Sequence, residues 1–135
     1  LARGAGAAEV IRYTETDDLA GDVRALTGGT GVAVVYDSVG KTTFDASLDS
    51  LRVRGMLVLF GAASGPVPPV DPQRLNRGGS LFLTRPTLFH HVPTPEALRA
   101  RAAAVYAAVA DGTLDVRIGH RYPLADARTA HEDLQ

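Results

Sequence analysis

Few residues in this chain could do chemistry, and their spacing excludes most reactions. There is no cysteine, which excludes thiolate nucleophiles, cysteine-ligated zinc, iron–sulfur clusters and disulfide scaffolds. The histidines are His90, His91, His120 and His131. His90 and His91 are adjacent, so their side chains diverge. No acid or further histidine stands at ligand spacing nearby, and solvated loop positions are expected for both. His120 lies far from any Ser–acid arrangement that could complete a triad. His131 falls on the inward stripe of a terminal helix, where a packed, hydrogen-bonded histidine is expected. Asp37 could orient a neighbour or anchor a turn, and the turn is the preferred reading. Arg3 and Arg12 could meet a phosphate or simply solvate the surface.

The conspicuous glycine run, Gly28-Gly29-Thr30-Gly31, follows a helix and precedes a strand. A phosphate-cradling loop has the reverse order, strand then glycines then helix. The run is therefore read as a helix stop. No G-x-G-x-x-G occurs anywhere in the chain.

These residues must be positioned by alternating elements. Glu9–Tyr13 is a short strand candidate. Asp17 and Asp18 place negative charge at a helix start, and Leu19, Val23 and Leu26 mark one helical face. Val32–Ser38 is apolar on both faces, as in a strand buried within a parallel sheet. Phe44, Leu48 and Leu51 recur with helical spacing, with Thr42 or Thr43 as the cap. Arg54-Gly55 turns the chain into Met56–Phe60, a second doubly buried strand. Residues 61–69 hold three prolines and two glycines and form a loop. Asp71–Asn76 is one helical turn and Ser80–Thr84 a further strand. Thr94-Pro95-Glu96 starts a helix whose apolar face is Leu98, Ala102, Val105, Tyr106 and Val109; Asp111-Gly112 ends it. Val116–Tyr122 is an extended connection into a last helix. This order predicts an α/β sheet with right-handed crossovers.

Ligands of open parallel sheets bind beyond the carboxyl ends of the strands. Four places satisfy that rule: Tyr13-Thr14, Ser38-Val39-Gly40, residues 61–65, and Thr84-Arg85. Glycine at a strand end lets a backbone approach a flat ligand closely and exposes N–H donors. Cofactor binding there competes with glycines that merely turn the chain.

Composition sets the wider frame. At 135 residues, 45% hydrophobic and 21% charged, the chain has the balance of one soluble globular domain. Net charge is −1, from 14 Lys+Arg against 15 Asp+Glu, which gives no excess with which to neutralise a phosphate backbone and argues against nucleic-acid binding. The longest apolar run falls far short of the roughly 20 residues that span a bilayer. Nothing near Leu1 reads as a signal peptide, and a cytoplasmic setting is expected. Leu1–Gly6 reads as the last turn of a helix, and the helical pattern of Leu124, Ala127, His131 and Leu134 runs to the chain's end. The sequence therefore reads as a piece of something longer.

Three segments, Val35–Gly40, Leu51–Gly61 and Ser80–Pro86, together with Tyr122–Ala127 and Ala130-His131, resemble the NADPH:quinone oxidoreductases. These are zinc-independent, zeta-crystallin-like members of the medium-chain dehydrogenase/reductase superfamily. The resemblance runs along nearly the whole chain in the right order. It implies a partial Rossmann fold, with a mostly parallel sheet of strands 3–6 and flanking helices. Residues 1–135 would be the C-terminal part of an NADP-binding domain. The GroES-like substrate domain, the first two strands, the glycine-rich loop, the final strand and the lysine that meets the 2′-phosphate all lie outside the chain.

By the same resemblance Tyr13 lies near the adenosine 2′-phosphate, and Ser38 and Val39 flank the adenine and ribose. Phe60, Gly61 and Ala62 approach the nicotinamide, while Phe82, Leu83 and Thr84 meet its carboxamide. The implied reaction passes a hydride or electrons from NADPH to a quinone, without metal and without a dedicated catalytic residue here. The isolated chain is expected to be inactive. An enoyl-thioester or enone reductase and a non-catalytic RNA-binding module are the alternatives. Without its central strands, strand 3 is expected to move beside strand 4, or two chains to pair as a homodimer through the Ser80–Thr84 edge.

Overall fold

The computed structural model describes residues 1–134. The chain separates into two compact units, Leu1–His90 and the residues from His91 onward.

In the first unit, a single turn of 3-10 helix at Arg3–Ala5 ends on Gly6 in the left-handed region. Helix α1, Leu19–Leu26, is capped by Asp18, whose carboxylate accepts the Gly21 N–H at 2.9 Å. Strand β1, Val32–Asp37, leads through α2, Phe44–Asp49, into β2, Leu51–Leu59. Helix α3, Pro72–Arg77, follows, with Asp71 as its cap and Pro72 in its first turn. Strand β3, Phe82–Thr84, completes a sheet of order β1-β2-β3 with both pairs parallel. The expected alternating α/β order with a parallel sheet is therefore present. Leu88–His91 forms the short helix α4, so His90 and His91 are exposed but helical rather than in a loop.

The core lies on one face of that sheet. Phe44 and Leu48 of α2 pack with Leu51, Leu57 and Leu59 of β2 and with Leu81, and Val35, Val67, Val70, Leu75 and Leu83 close around them. The opposite face is open, contrary to the expectation of doubly buried strands. Val34, Met56 and Phe82 share one row across it and Tyr36, Val58 and Thr84 the next; Tyr36 is 72% and Phe82 49% exposed. Both crossover helices join neighbours in the same direction, so this unit supplies one helical layer and not two.

Three further expectations change. Glu9–Tyr13 forms no strand and does not pair beside β1. Glu9 and Ile11 instead line an apolar groove of about 300 Å³ with Val23, Leu26, Thr27 and Val32. The second strand begins at Leu51, not Met56. Its pairing jumps from Val32–Leu51 to Val34–Met56, so Arg52, Val53 and Arg54 bulge outward, with Arg54 at φ 58°. The turn read at Arg54-Gly55 survives as this irregularity. Finally, Thr43 precedes α2 but makes no capping bond with its hydroxyl; Asp37 takes that hydroxyl instead.

In the second unit, α5 spans Pro95–Ala110, with the Thr94 hydroxyl accepting the Ala97 N–H at 3.2 Å. A 3-10 turn, Leu124–Asp126, leads into α6, Ala127–Glu132. The Tyr122 hydroxyl donates to the Asp133 carboxylate at 2.6 Å. The apolar stripe read on α5 is not buried: Leu98, Val105, Tyr106 and Val109 are exposed. His131 is likewise exposed, because among the described residues of this unit no buried cluster forms for α6 to pack against. Among the described residues, no helix is long and apolar enough to cross a membrane.

Candidate functional site

The chemistry concentrates where β1 and β2 end. Asp37, the last residue of β1, is buried, and its carboxylate accepts four donors. The Val39 and Gly40 N–H groups reach it at 2.8 and 2.9 Å, and the Thr43 and Ser47 hydroxyls each at 2.8 Å. Burial pushes this carboxyl up, but the hydrogen bonds from Gly40, Ser47, Thr43 and Val39 together outweigh it and hold the group below the usual aspartate value. The side chain is thus an ionised anchor for the turn after β1, and the turn reading holds. Gly40, at φ 89°, supplies the left-handed residue that lets the turn point both amides inward.

That turn is stitched to the loop after β2. The Asp37 carbonyl accepts the Phe60 and Gly61 N–H groups at 2.9 and 3.2 Å, and the Ser38 carbonyl accepts Ala63 N–H at 3.2 Å. The Val39 carbonyl accepts both the N–H and the hydroxyl of Ser64, each at 2.8 Å. In return the Ser64 oxygen accepts Thr42 N–H at 3.1 Å, and Lys41 N–H reaches the Gly65 carbonyl at 3.2 Å. Gly61 has to be glycine: a Cβ there would lie 2.2 Å from the Ser38 carbonyl oxygen.

A cleft of about 580 Å³ opens above this double loop, lined by Tyr13, Thr14, Val39, Thr42, Ala63 and Ser64, within the size range of small-molecule sites. A recess of about 150 Å³ beside it is lined by Tyr13, Tyr36, Ser38 and Asp37 among others. The fold therefore gathers Tyr13, Ser38, Val39, Gly61 and Ala62 at one end of the sheet, with Phe60 exposed at the tip of β2. Phe82, Leu83 and Thr84 line neither space. Leu83 turns toward the core, and Phe82 sits on the open sheet face. Thr14 was within reach of the strand-end rule. Ala63 and Ser64 fell within its 61–65 segment, whereas Thr42 was read only as a candidate cap for α2, because its place in the cleft depends on the pairing of two loops distant in sequence.

A second depression, about 430 Å³, is walled by residues 67–71 with Lys41, Phe44, Asp45, Arg74 and Arg77. Its arginines are already engaged, Arg74 by Asp45 and Asp49 and Arg77 by Asp71. Among the described residues, no group of three or more His, Asp or Glu side chains could hold a metal ion.

Parallel strands joined by helices, with a glycine-tipped cleft at their carboxyl ends, define part of a Rossmann-type α/β domain. The chain belongs to the family described as zinc-binding dehydrogenase, whose model matches residues 5–135. It is 47% identical over 133 residues to a quinone oxidoreductase of Salmonella typhimurium, a match that covers 97% of this chain and 40% of the relative. It is 42% identical over 132 residues to a 2-haloacrylate reductase of a Burkholderia species, covering 97% of this chain and 39% of that one. A mycobacterial protein solved in complex with NADPH is 61% identical, with a TM-score of 0.89 over 98% of this chain and 41% of that chain. The chain thus spans about two-fifths of the length of such relatives. The zinc in the family's description has no ligand set among the residues described.

Proposed function

We propose that this chain forms the strand-end wall of an NADPH site in a quinone oxidoreductase. The observation that carries the reading is the double loop: Ser38–Lys41 and Gly61–Gly65 are locked together below a cleft that Tyr13 borders, in a chain 61% identical to a protein solved with NADPH. Tyr13 lies on the adenosine 2′-phosphate side, with Ser38 and Val39 against the adenine and ribose. Phe60, Gly61 and Ala62 face the nicotinamide, and Phe82, Leu83 and Thr84 its carboxamide.

Bound NADPH supplies a hydride from the nicotinamide C4. The chain's own residues hold the ring system flat against a preformed backbone surface, and orientation beside an already strong acceptor does most of the work. No residue of this chain is assigned as catalytic, and no metal takes part. Residues 1–135 form the C-terminal part of the NADP-binding domain, and the substrate domain lies outside them. The chain acts in the cytoplasm, without nucleic acid or membrane. Its homodimer joins through the Ser80–Thr84 edge, where β3 has one side free among the described residues.

The similarity to a 2-haloacrylate reductase supports a second reading, reduction of an activated carbon–carbon double bond by the same cofactor. The test is NADPH consumption by the complete gene product containing this chain, with a quinone and with 2-haloacrylate as acceptors. Faster turnover with the quinone is expected. Turnover with the haloacrylate alone selects the second reading, and salt-sensitive RNA binding without turnover overturns both.

A further inference from the structure

We propose that Asp37 is a positioning residue for the dinucleotide site, setting cofactor affinity through the loops it holds without touching the cofactor itself. The inference rests on the NADPH reading above. Asp37 ties three parts of the site. Its carboxylate holds the Val39 and Gly40 amides of the turn after β1, the Thr43 hydroxyl just before α2 and the Ser47 hydroxyl within it. Its carbonyl holds the Phe60 and Gly61 amides of the loop after β2.

With both loop amides turned inward to the carboxylate, the Val39 carbonyl faces Ser64, which binds it twice. Val39 and Ser64 are also lining residues of the cleft, so the cleft's floor takes its shape from the carboxylate beneath it. An amide at this position keeps the size but has one acceptor oxygen for four donors, and it forfeits charge-assisted bonds that are about twice as strong as neutral ones. The turn then samples other conformations, and the cofactor must order it on binding.

The test is steady-state kinetics and NADPH titration of the complete gene product with Asp37→Asn. The expected result is a KM and Kd for NADPH raised about tenfold, with kcat at saturating NADPH within about twofold of the unaltered protein. Leu75→Ala, in α3 at the edge of the core, is the stability control. It lowers Tm and leaves KM unchanged. An Asp37→Asn protein that loses stability but keeps its KM and Kd overturns the proposal, since its role is then structural alone. If that variant does not fold, Ser64→Ala weakens the same loop-to-loop tie by removing the hydroxyl bonds to Val39 and Thr42, and an unchanged KM there overturns it equally. Failure of the unaltered protein to bind NADPH overturns the cofactor reading, and this proposal with it; normal binding by both proteins overturns only the proposal.

Discussion

Replacing Gly61 by valine raises the Kd of the complete gene product for NADPH more than about a hundredfold, the equivalent of about 2.7 kcal/mol. The first side-chain carbon alone would stand 2.2 Å from the Ser38 carbonyl oxygen, 2.7 Å from its Cα and 2.8 Å from its carbonyl carbon. All three are backbone atoms, so no rotamer relieves the contact. The two loops have to separate, which breaks the bonds from Ala63 to Ser38 and from Ser64 to Val39. Each such bond contributes about 1 kcal/mol net, and overpacking adds about 1–3 kcal/mol. Isothermal titration of NADPH, with a thermal melt of the same sample, checks the expectation. Near-normal affinity would mean that the paired loops do not form the cofactor's wall.

Leu57→Ala lowers the unfolding free energy of this chain by about 3 kcal/mol, within the range seen when buried leucines are truncated. Leu57 is 0% exposed, sits in the middle strand, and pairs with Val35 on one side and Leu83 on the other. The core it joins is shallow, since only one face of the sheet is covered and, among the described residues, six apolar side chains are buried. Few neighbours can collapse into the space left behind. For a domain of this size the loss corresponds to a fall in Tm of about 10 °C, readable by circular dichroism. Met56→Ala, on the open face of the same strand, should cost far less. Equal losses from the two substitutions would contradict the one-sided core.

Most local elements were legible because their signals are local. Asp18, Asp71 and Thr94 each announce a helix by a side chain that can accept an N–H two or three residues ahead, and each does so. The apolar runs of β1 and β2 were equally plain. Composition could not say which faces would be covered. Tyr36 and Met56 read as interior residues because a parallel strand is ordinarily flanked by two layers, and the first unit supplies one. His131 and the stripe on α5 failed for the same reason: helical periodicity marks a face able to pack but does not provide its partner. Glu9–Tyr13 has the composition of a strand but pairs with none.

The site was legible as strand ends and not as a network. The rule that ligands lie beyond the carboxyl ends of strands selected Ser38–Gly40 and residues 61–65, and the two segments do meet. What no local pattern could show is that Ser64 spans 25 residues to Val39, or that Asp37 serves α2 and the turn together. Asp-Ser-Val-Gly at the end of a strand carries the signature of a side chain that folds back on its own turn. The Thr43 hydroxyl at the entry of α2 and the Ser47 hydroxyl within it complete the set only once that helix is built.

The most direct test of an NADPH wall at these strand ends is hydrogen exchange of the complete gene product with and without NADPH. Slower exchange is predicted in Ser38–Lys41 and Gly61–Gly65, together with the segment around Tyr13. Tight NADPH binding that leaves the exchange of all three segments unchanged would contradict it.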